Sequence, residues 1–321
     1  MRSTNGALRR LFHIWFSVGL LMVLPWFSVW ANGTPEGTAA EALDAAVEIT
    51  DARGELVTVT DASRVVSLGS AISEIVVALD QTDRLVGVDL SSTYPAQALD
   101  GIPRTGYVRE LSAEGVLSLS PTLVIGTVDM GPPEVIAQIQ DAGVPVAVVP
   151  EGDSIDGAVA RVEFVATLLG AEQQANEVIA AMETDESRLV QLISDVPVDA
   201  RPSVLFIYAR GAGTVLVSGS DTSADAMIRL AGGKTATPEF TGYRPLTPES
   251  AIAANPDYLL LFTSGLQSLG GMEGLGTIPG IAQTDAYQAG RVLSYDDVYL
   301  LGFGPRAAQA AYDLAQALYS E

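Results

Sequence analysis

Short β-branched runs alternate with apolar-periodic stretches along this sequence, stop at a long segment without strong breakers, and then start again. The first set of runs is Val65 to Leu68, Leu85 to Val88, Leu123 to Ile125 and Val144 to Val149. The second is Val204 to Ile207, Tyr258 to Leu261 and Arg291 to Leu293. Strand and helix in repetition require crossover connections, and those build a mainly parallel sheet covered by helices on both faces. The segment between the sets, Ala171 to about Ser194, is rich in Glu, Gln, Ala, Leu and Ile. It predicts one helix of about six turns at 3.6 residues per turn, closed by Pro197 and Pro202. The fold class expected is therefore α/β: two doubly wound lobes joined by a long connecting helix, with a ligand cleft between them. The boundaries read as an N-terminal lobe over 47–170, the connecting helix over 171–196 and a C-terminal lobe over 197–321.

Residues 1–31 hold Arg2, Arg9 and Arg10 and no acid, then an apolar run from Leu11 to Trp30, then Val29-Trp30-Ala31 before Asn32. A basic head, an apolar middle and small residues at a cleavage point predict a secretory signal peptide. Arg9-Arg10-Leu11-Phe12 resembles a twin-arginine signal, but the long apolar run favours the general secretory route. Residues 32–46 read as a flexible, acidic leader. The chain has no cysteine to carry a lipid, so a soluble protein of the periplasm, secreted through a cleavable signal and not lipid-anchored, is expected.

Composition narrows the chemistry. The 321 residues carry 17 Lys and Arg against 39 Asp and Glu, a net charge of −22, and Lys234 is the only lysine. A nucleic-acid partner needs a basic face and is not expected. Absence of cysteine excludes thiol catalysis, disulfides and iron–sulfur clusters. The one histidine, His13, lies in the segment expected to be removed. Histidine-based acid–base catalysis, Ser-His-Asp triads and His-ligated zinc or manganese sites are then closed to the mature chain. An enzyme built on a metal cluster would lack ligands, so no enzymatic activity is expected.

An internal repeat marks the candidate site. Gly106-Tyr107-Val108-Arg109 precedes Ser112 and Glu114; Gly242-Tyr243-Arg244-Pro245 precedes Thr247 and Glu249. Each unit continues through a helical stretch to a proline, Pro121 or Pro256, and then to a strand. Ser112 and Thr247 are placed to cap helices. Loops at the carboxyl ends of strands form the ligand crevice in open α/β sheets. Tyr107, Arg109, Tyr243 and Arg244 would surround one cleft if both Gly-Tyr loops lie on that side. Glu114 and Glu249 follow their caps by two residues, where a carboxylate also favours the helix dipole.

These segments, with Arg64 to Leu68, Ser73-Glu74-Ile75, Thr222 to Asp225 on through Met227 to Gly233, and Leu301-Gly302-Phe303-Gly304-Pro305-Arg306, resemble the periplasmic haem-binding components of ABC importers. That family lies in a wider group that also binds cobalamin and ferric siderophores. The resemblance implies two lobes with a small closure motion and one haem b held edge-on between them as the transported ligand. It implies Tyr107 as axial ligand of the ferric iron, with Arg109, Arg244 and Tyr243 stabilising that ligand or the propionates. It implies docking of Glu114 and Glu249 on the permease dimer, which works with its ATPase, and a monomeric receptor. Ferric iron is a hard acid suited to phenolate oxygen, and arginine grips carboxylates with paired hydrogen bonds. Some relatives use histidine as a further ligand; here Met130, Met272 or a water is the expected occupant of the opposite face, while Met227 belongs to a core helix. Cobalamin, a ferric siderophore, or haem binding without a permease are the alternatives.

Overall fold

The computed structural model describes residues 46–320. The expected signal peptide and all but the last residue of the expected leader lie outside the described residues, as does His13. Among the described residues no helix is long and apolar enough to cross a membrane.

The N-terminal half opens with a small antiparallel hairpin, β1 (Val47–Thr50) and β2 (Leu56–Val59). Then come β3 (Val65–Leu68), β4 (Leu85–Val88), β5 (Leu123–Gly126) and β6 (Val146–Val148), which form a parallel sheet in the order β4-β3-β5-β6. β6 starts at Val146 because Pro145 has no N–H to give; its carbonyl instead accepts from Val124 N. Side chains alternate across these strands, so both faces are apolar. Val65, Leu123 and Ile125 pack on one side and Val66, Val124 and Val148 on the other. Helices α1 (Ser70–Ala78), α2 (Ala113–Leu117), α3 (Pro133–Asp141) and α4 (Ile155–Leu169) cover those faces.

α4 stops at Gly170, whose left-handed φ of 62° ends it, and α5 (Glu172–Ile193) follows at once. At 22 residues α5 matches the six turns read from sequence. Its fully buried side chains, Ala175, Met182 and Leu189, recur every seven residues, so it buries a narrow stripe. That stripe lies between α4 and the last helix, Ala307–Tyr319.

The second half contains β7 (Ser203–Ala209), β8 (Val215–Ser218), β9 (Lys234–Thr235), β10 (Tyr243–Pro245), β11 (Tyr258–Phe262) and β12 (Val292–Tyr295). The order is β10-β8-β7-β11-β12, with β9 beside the start of β7. β7, β11 and β12 are parallel as expected, whereas β8 is antiparallel to both β7 and β10. The sequence reading missed this hairpin and edge strand. β10 is three residues long and ends in a proline, a residue that edge strands accommodate. Val204, Phe206 and Leu260 face one core; Leu205, Ile207 and Leu261 face the other.

The first of those cores does not stop at the second sheet. Val65, Ile72, Ile75 and α4 residues belong to the same buried cluster as Phe206, Met227, Phe303 and Leu314. Polar contacts reinforce this seam between the lobes. Arg306 Nε and Nη2 donate to the two carboxylate oxygens of Glu74 at 2.5 and 2.9 Å, and the guanidinium lies 3.6 Å from the Tyr94 ring centre and 4.8 Å from that of Tyr299. Burial and a hydrogen bond to Asp313 push the Tyr299 phenol well above its ordinary pKa, so it stays a neutral donor. Arg161, on α4, donates to the carbonyls of Pro150 and Gly152 in its own lobe and of Phe303 in the other. Glu74 is nearly inaccessible while Arg306 keeps some exposure, so the two halves of the pair are not equivalent. Arg306→Ala strands a buried carboxylate and is expected to cost about 3 kcal/mol in urea unfolding; Glu74→Gln, which keeps a hydrogen-bond acceptor against a partly hydrated cation, is expected to cost less than half of that. A loss near zero in Arg306→Ala would show that the pair is not what holds the seam.

Candidate functional site

The Gly106 loop is fixed before any ligand arrives. Val88 N donates to Pro103 O, Thr105 N to Val88 O, and Leu90 N to Gly106 O, so residues 103–106 are pinned to the carboxyl end of β4. Gly106 has φ +100°, a conformation costly for a residue with a Cβ. Tyr107 O then accepts from Glu110 N, closing a turn over Tyr107-Val108-Arg109-Glu110. Val108 O and Leu111 N bond to Gly131 N and O, tying the turn to the loop after β5. The result is a tyrosine ring that is 60% exposed on a backbone with little freedom. Arg109 projects from the same turn into an ion pair with Asp129, and Thr127 Oγ1 donates to the other oxygen of Asp129 at 2.5 Å.

Beside this turn a cavity of about 510 Å3 opens at the carboxyl ends of β3, β5 and β6 and the loop after β4. Gly69 to Ile72, Ser91, Arg109, Asp129 and Asp153 line it from the first lobe, and Ser223, Leu301 and Gly302 from the second. Its size is in the range of sites for compact organic ligands. Ser223 Oγ donates to Asp153 at 2.6 Å, joining the two walls. Arg161 forms part of the floor; burial lowers its pKa, while Asp153 and Glu151 oppose that shift. A second polar group supports the rim. Asp89, fully buried, accepts from Gly69 N, Ser91 N and the hydroxyls of Ser91 and Ser92. It thereby holds the start of α1 and the wall residue Ser91 in place.

The second copy of the repeat is built differently. Gly242 has φ +75°, matching Gly106, but Tyr243 and Arg244 belong to strand β10 rather than to a loop. Successive strand side chains point to opposite faces. Tyr243 pairs with Ser218 and sets its ring edge-on to Phe206 with centroids 6.4 Å apart. Burial raises the Tyr243 phenol above its ordinary pKa, partly offset by a hydrogen bond with Thr222 and reinforced by Asp153. It is therefore a neutral hydroxyl at neutral pH, bonded to Thr222, the neighbour of the lining residue Ser223. Arg244 takes the other face, where its guanidinium lies 4.5 Å from the Phe240 ring centre.

Of the six residues singled out, Arg109 alone lines the cavity; Tyr107 stands on the same turn without lining it, and Tyr243 bonds Thr222, next to the lining residue Ser223. Glu114 and Glu249 are exposed in the first turns of α2 and of α6 (Pro248–Ala254), with Ser112 and Thr247 as side-chain caps. Met130 is not at the cavity: it is 7% exposed in the core beneath Gly126. Met272 is exposed but elsewhere, and Met227 is fully buried as expected. Asp129, Asp153 and Arg161 were not anticipated. Each acts through a partner distant in sequence, and no local pattern announces that.

Comparison with known proteins places this geometry. The periplasmic heme-binding protein RhuT from Roseiflexus sp. RS-1 superposes with a TM-score of 0.76 at 44% identity, over 80% of this chain and 98% of that one. The periplasmic heme-binding protein HutB of Vibrio cholerae gives 0.72 at 33% identity, over 81% and 100%. An uncharacterized ABC transporter substrate-binding lipoprotein, YvrC of Bacillus subtilis strain 168, is 27% identical over 278 residues, 86% of each chain. The periplasmic binding protein family matches residues 65–299. A two-lobed α/β frame, a cavity walled by both lobes and these relatives agree: the chain is a substrate-binding protein, not an enzyme, and it belongs to the periplasmic binding protein family.

Proposed function

We propose that this protein captures ferric haem b in the periplasm and delivers it to an ABC permease dimer with its ATPase. The observation that carries this reading is Tyr107, an exposed phenol on a rigid turn at the lip of the interlobe cavity, with Arg109 two residues away. The haem-binding names of RhuT and HutB support the same ligand. Tyr107 is the axial ligand: a phenolate oxygen suits ferric iron, and the metal's charge favours the ionised form. Arg109 exchanges Asp129 for a haem propionate. Tyr243 and Arg244 act from the second lobe, Tyr243 as a hydroxyl donor and Arg244 by turning away from Phe240 at the sheet edge. The lobes span 47–170 and 197–321 about the helix of 171–196, and the receptor works as a monomer. Glu114 and Glu249, both exposed near the starts of equivalent helices, dock on the permease. Export uses a cleavable signal, and a chain without cysteine offers no thioether for a lipid.

Titration of the purified chain with hemin should saturate at one equivalent with a high-spin tyrosinate-type absorption spectrum, and Tyr107→Ala should lose that spectrum; no saturable change in the unaltered chain overturns the haem reading in favour of cobalamin or a ferric siderophore. Because Asp129 competes with the ligand for Arg109, Asp129→Asn should tighten hemin binding a few-fold, and Arg109→Ala should weaken it about tenfold, the effect of losing one charge-assisted contact. Glu114→Ala with Glu249→Ala should leave hemin binding unchanged while abolishing stimulation of the permease's ATPase in reconstituted vesicles; stimulation that survives both changes would remove these residues from docking.

A further inference from the structure

A second pocket, of about 330 Å3, lies at the amino ends of β7, β9, β11 and β12, and shares no residue with the interlobe cavity. Three cations meet there: Arg201, just before β7; Lys234, the chain's only lysine, at the start of β9; and Arg291, just before β12. Asp199, Asp257 and Tyr258 complete the wall.

Like charges gathered in one pocket repel one another, and this chain has acids in excess, 39 against 17 bases, from which counter-charges could have been drawn. They are not used. None of the three cations forms an ion pair among the described residues. The Asp257 carboxylate is taken by Ser203, whose N and Oγ both donate to it at 2.8 Å. Asp257 presents only its carbonyl to Arg291 Nε, at 2.7 Å, and Asp199 only its carbonyl to Lys234 Nζ, at 3.3 Å. Arg201 Nε is buried and has no hydrogen-bond partner among the described residues. The pocket thus sets two guanidinium groups and one ammonium group against two carboxylates that pair with none of them, which leaves a net positive charge around a polar space.

We propose that this pocket is a binding site for a phosphate-type oxyanion. A compact dianion matches the donor set: guanidinium forks bond two oxygens at once, and an ammonium adds a point charge. The phosphate can belong to a free ion or to a phospholipid headgroup, since both present the same oxygens to these donors. The site goes beyond haem capture, and nothing about the interlobe cavity is needed for it.

The test is calorimetric and thermal titration of the full chain with inorganic phosphate at constant ionic strength, beside Arg201→Gln, Lys234→Gln and the double variant. A ligand that binds only the folded state raises the melting temperature. Phosphate should therefore raise Tm in the unaltered chain, bind about tenfold more weakly in each single variant, and have no effect in the double variant. The variants' own melting without phosphate and their hemin titrations show whether they remain folded. Co-sedimentation with phosphatidic acid vesicles but not with phosphatidylcholine vesicles, lost in the double variant, would assign the phosphate to a headgroup; binding of inorganic phosphate alone would assign it to the free ion. Phosphate binding that is equal in all variants, absent at millimolar concentration, or matched by acetate overturns the proposal, whatever the hemin titration shows.

Discussion

The paired hydrogen bonds of Arg306 on Glu74 set the relation between the two halves of this protein. A carboxylate with so little access to water is tolerable only when its partner is held in place. That partner is stacked between Tyr94 of the first lobe and Tyr299 of the second. Arg161 repeats the device with carbonyls in place of a carboxylate, bonding Pro150, Gly152 and Phe303 with one guanidinium. Apolar packing is continuous beneath both. An interface of this kind resists sliding, because any shift breaks several directional bonds at once. The cavity above it therefore has a fixed floor, and adaptation to a ligand falls to the rim.

The rim is where the polar groups have exchangeable partners. Arg109 is 73% exposed in its ion pair with Asp129, and exposed pairs contribute little net stability. Releasing that arginine to a ligand carboxylate costs the fold little. Tyr107 is largely exposed, and the backbone bonds that fix its turn set its position. Rigid backbone with loosely engaged side chains keeps a site ordered and still available, and it limits the ordering cost on binding. Asp153 and Ser223 are the corresponding exchangeable contact across the cleft.

Much of the frame was legible because it rests on local patterns. Uninterrupted β-branched runs marked the parallel strands, and α5 announced itself by composition and length. The caps at Ser112 and Thr247 were readable from residue type and spacing. The hairpin of β7 with β8 and the edge strand β10 were not, because their stability comes from cross-strand pairing that no short window contains. That omission had a consequence at the site. Read as a loop, Gly242-Tyr243-Arg244 could send both side chains to one cleft; as a strand it sends Tyr243 onto Phe206 and Arg244 onto Phe240. Asp129 was invisible for a related reason, since its partner is 20 residues away and the turn that joins them is built by Gly131.

The distribution of arginine shows how so acidic a chain can still hold an anion. With a net charge of −22, the long-range field opposes any negatively charged ligand. Five of the fourteen basic residues among the described residues gather at two pockets. Arg109 and Arg161 lie at the interlobe cavity, and Arg201, Lys234 and Arg291 lie at the base of the second sheet. Screening by salt reduces the distant field within about 8–10 Å at physiological ionic strength, while contacts shielded from water keep their strength. The acidic surface and the local basic groups therefore act over different distances. Salt screens the distant repulsion and the exposed Arg109 contact alike, so the dependence of the association rate on ionic strength measures which of the two dominates.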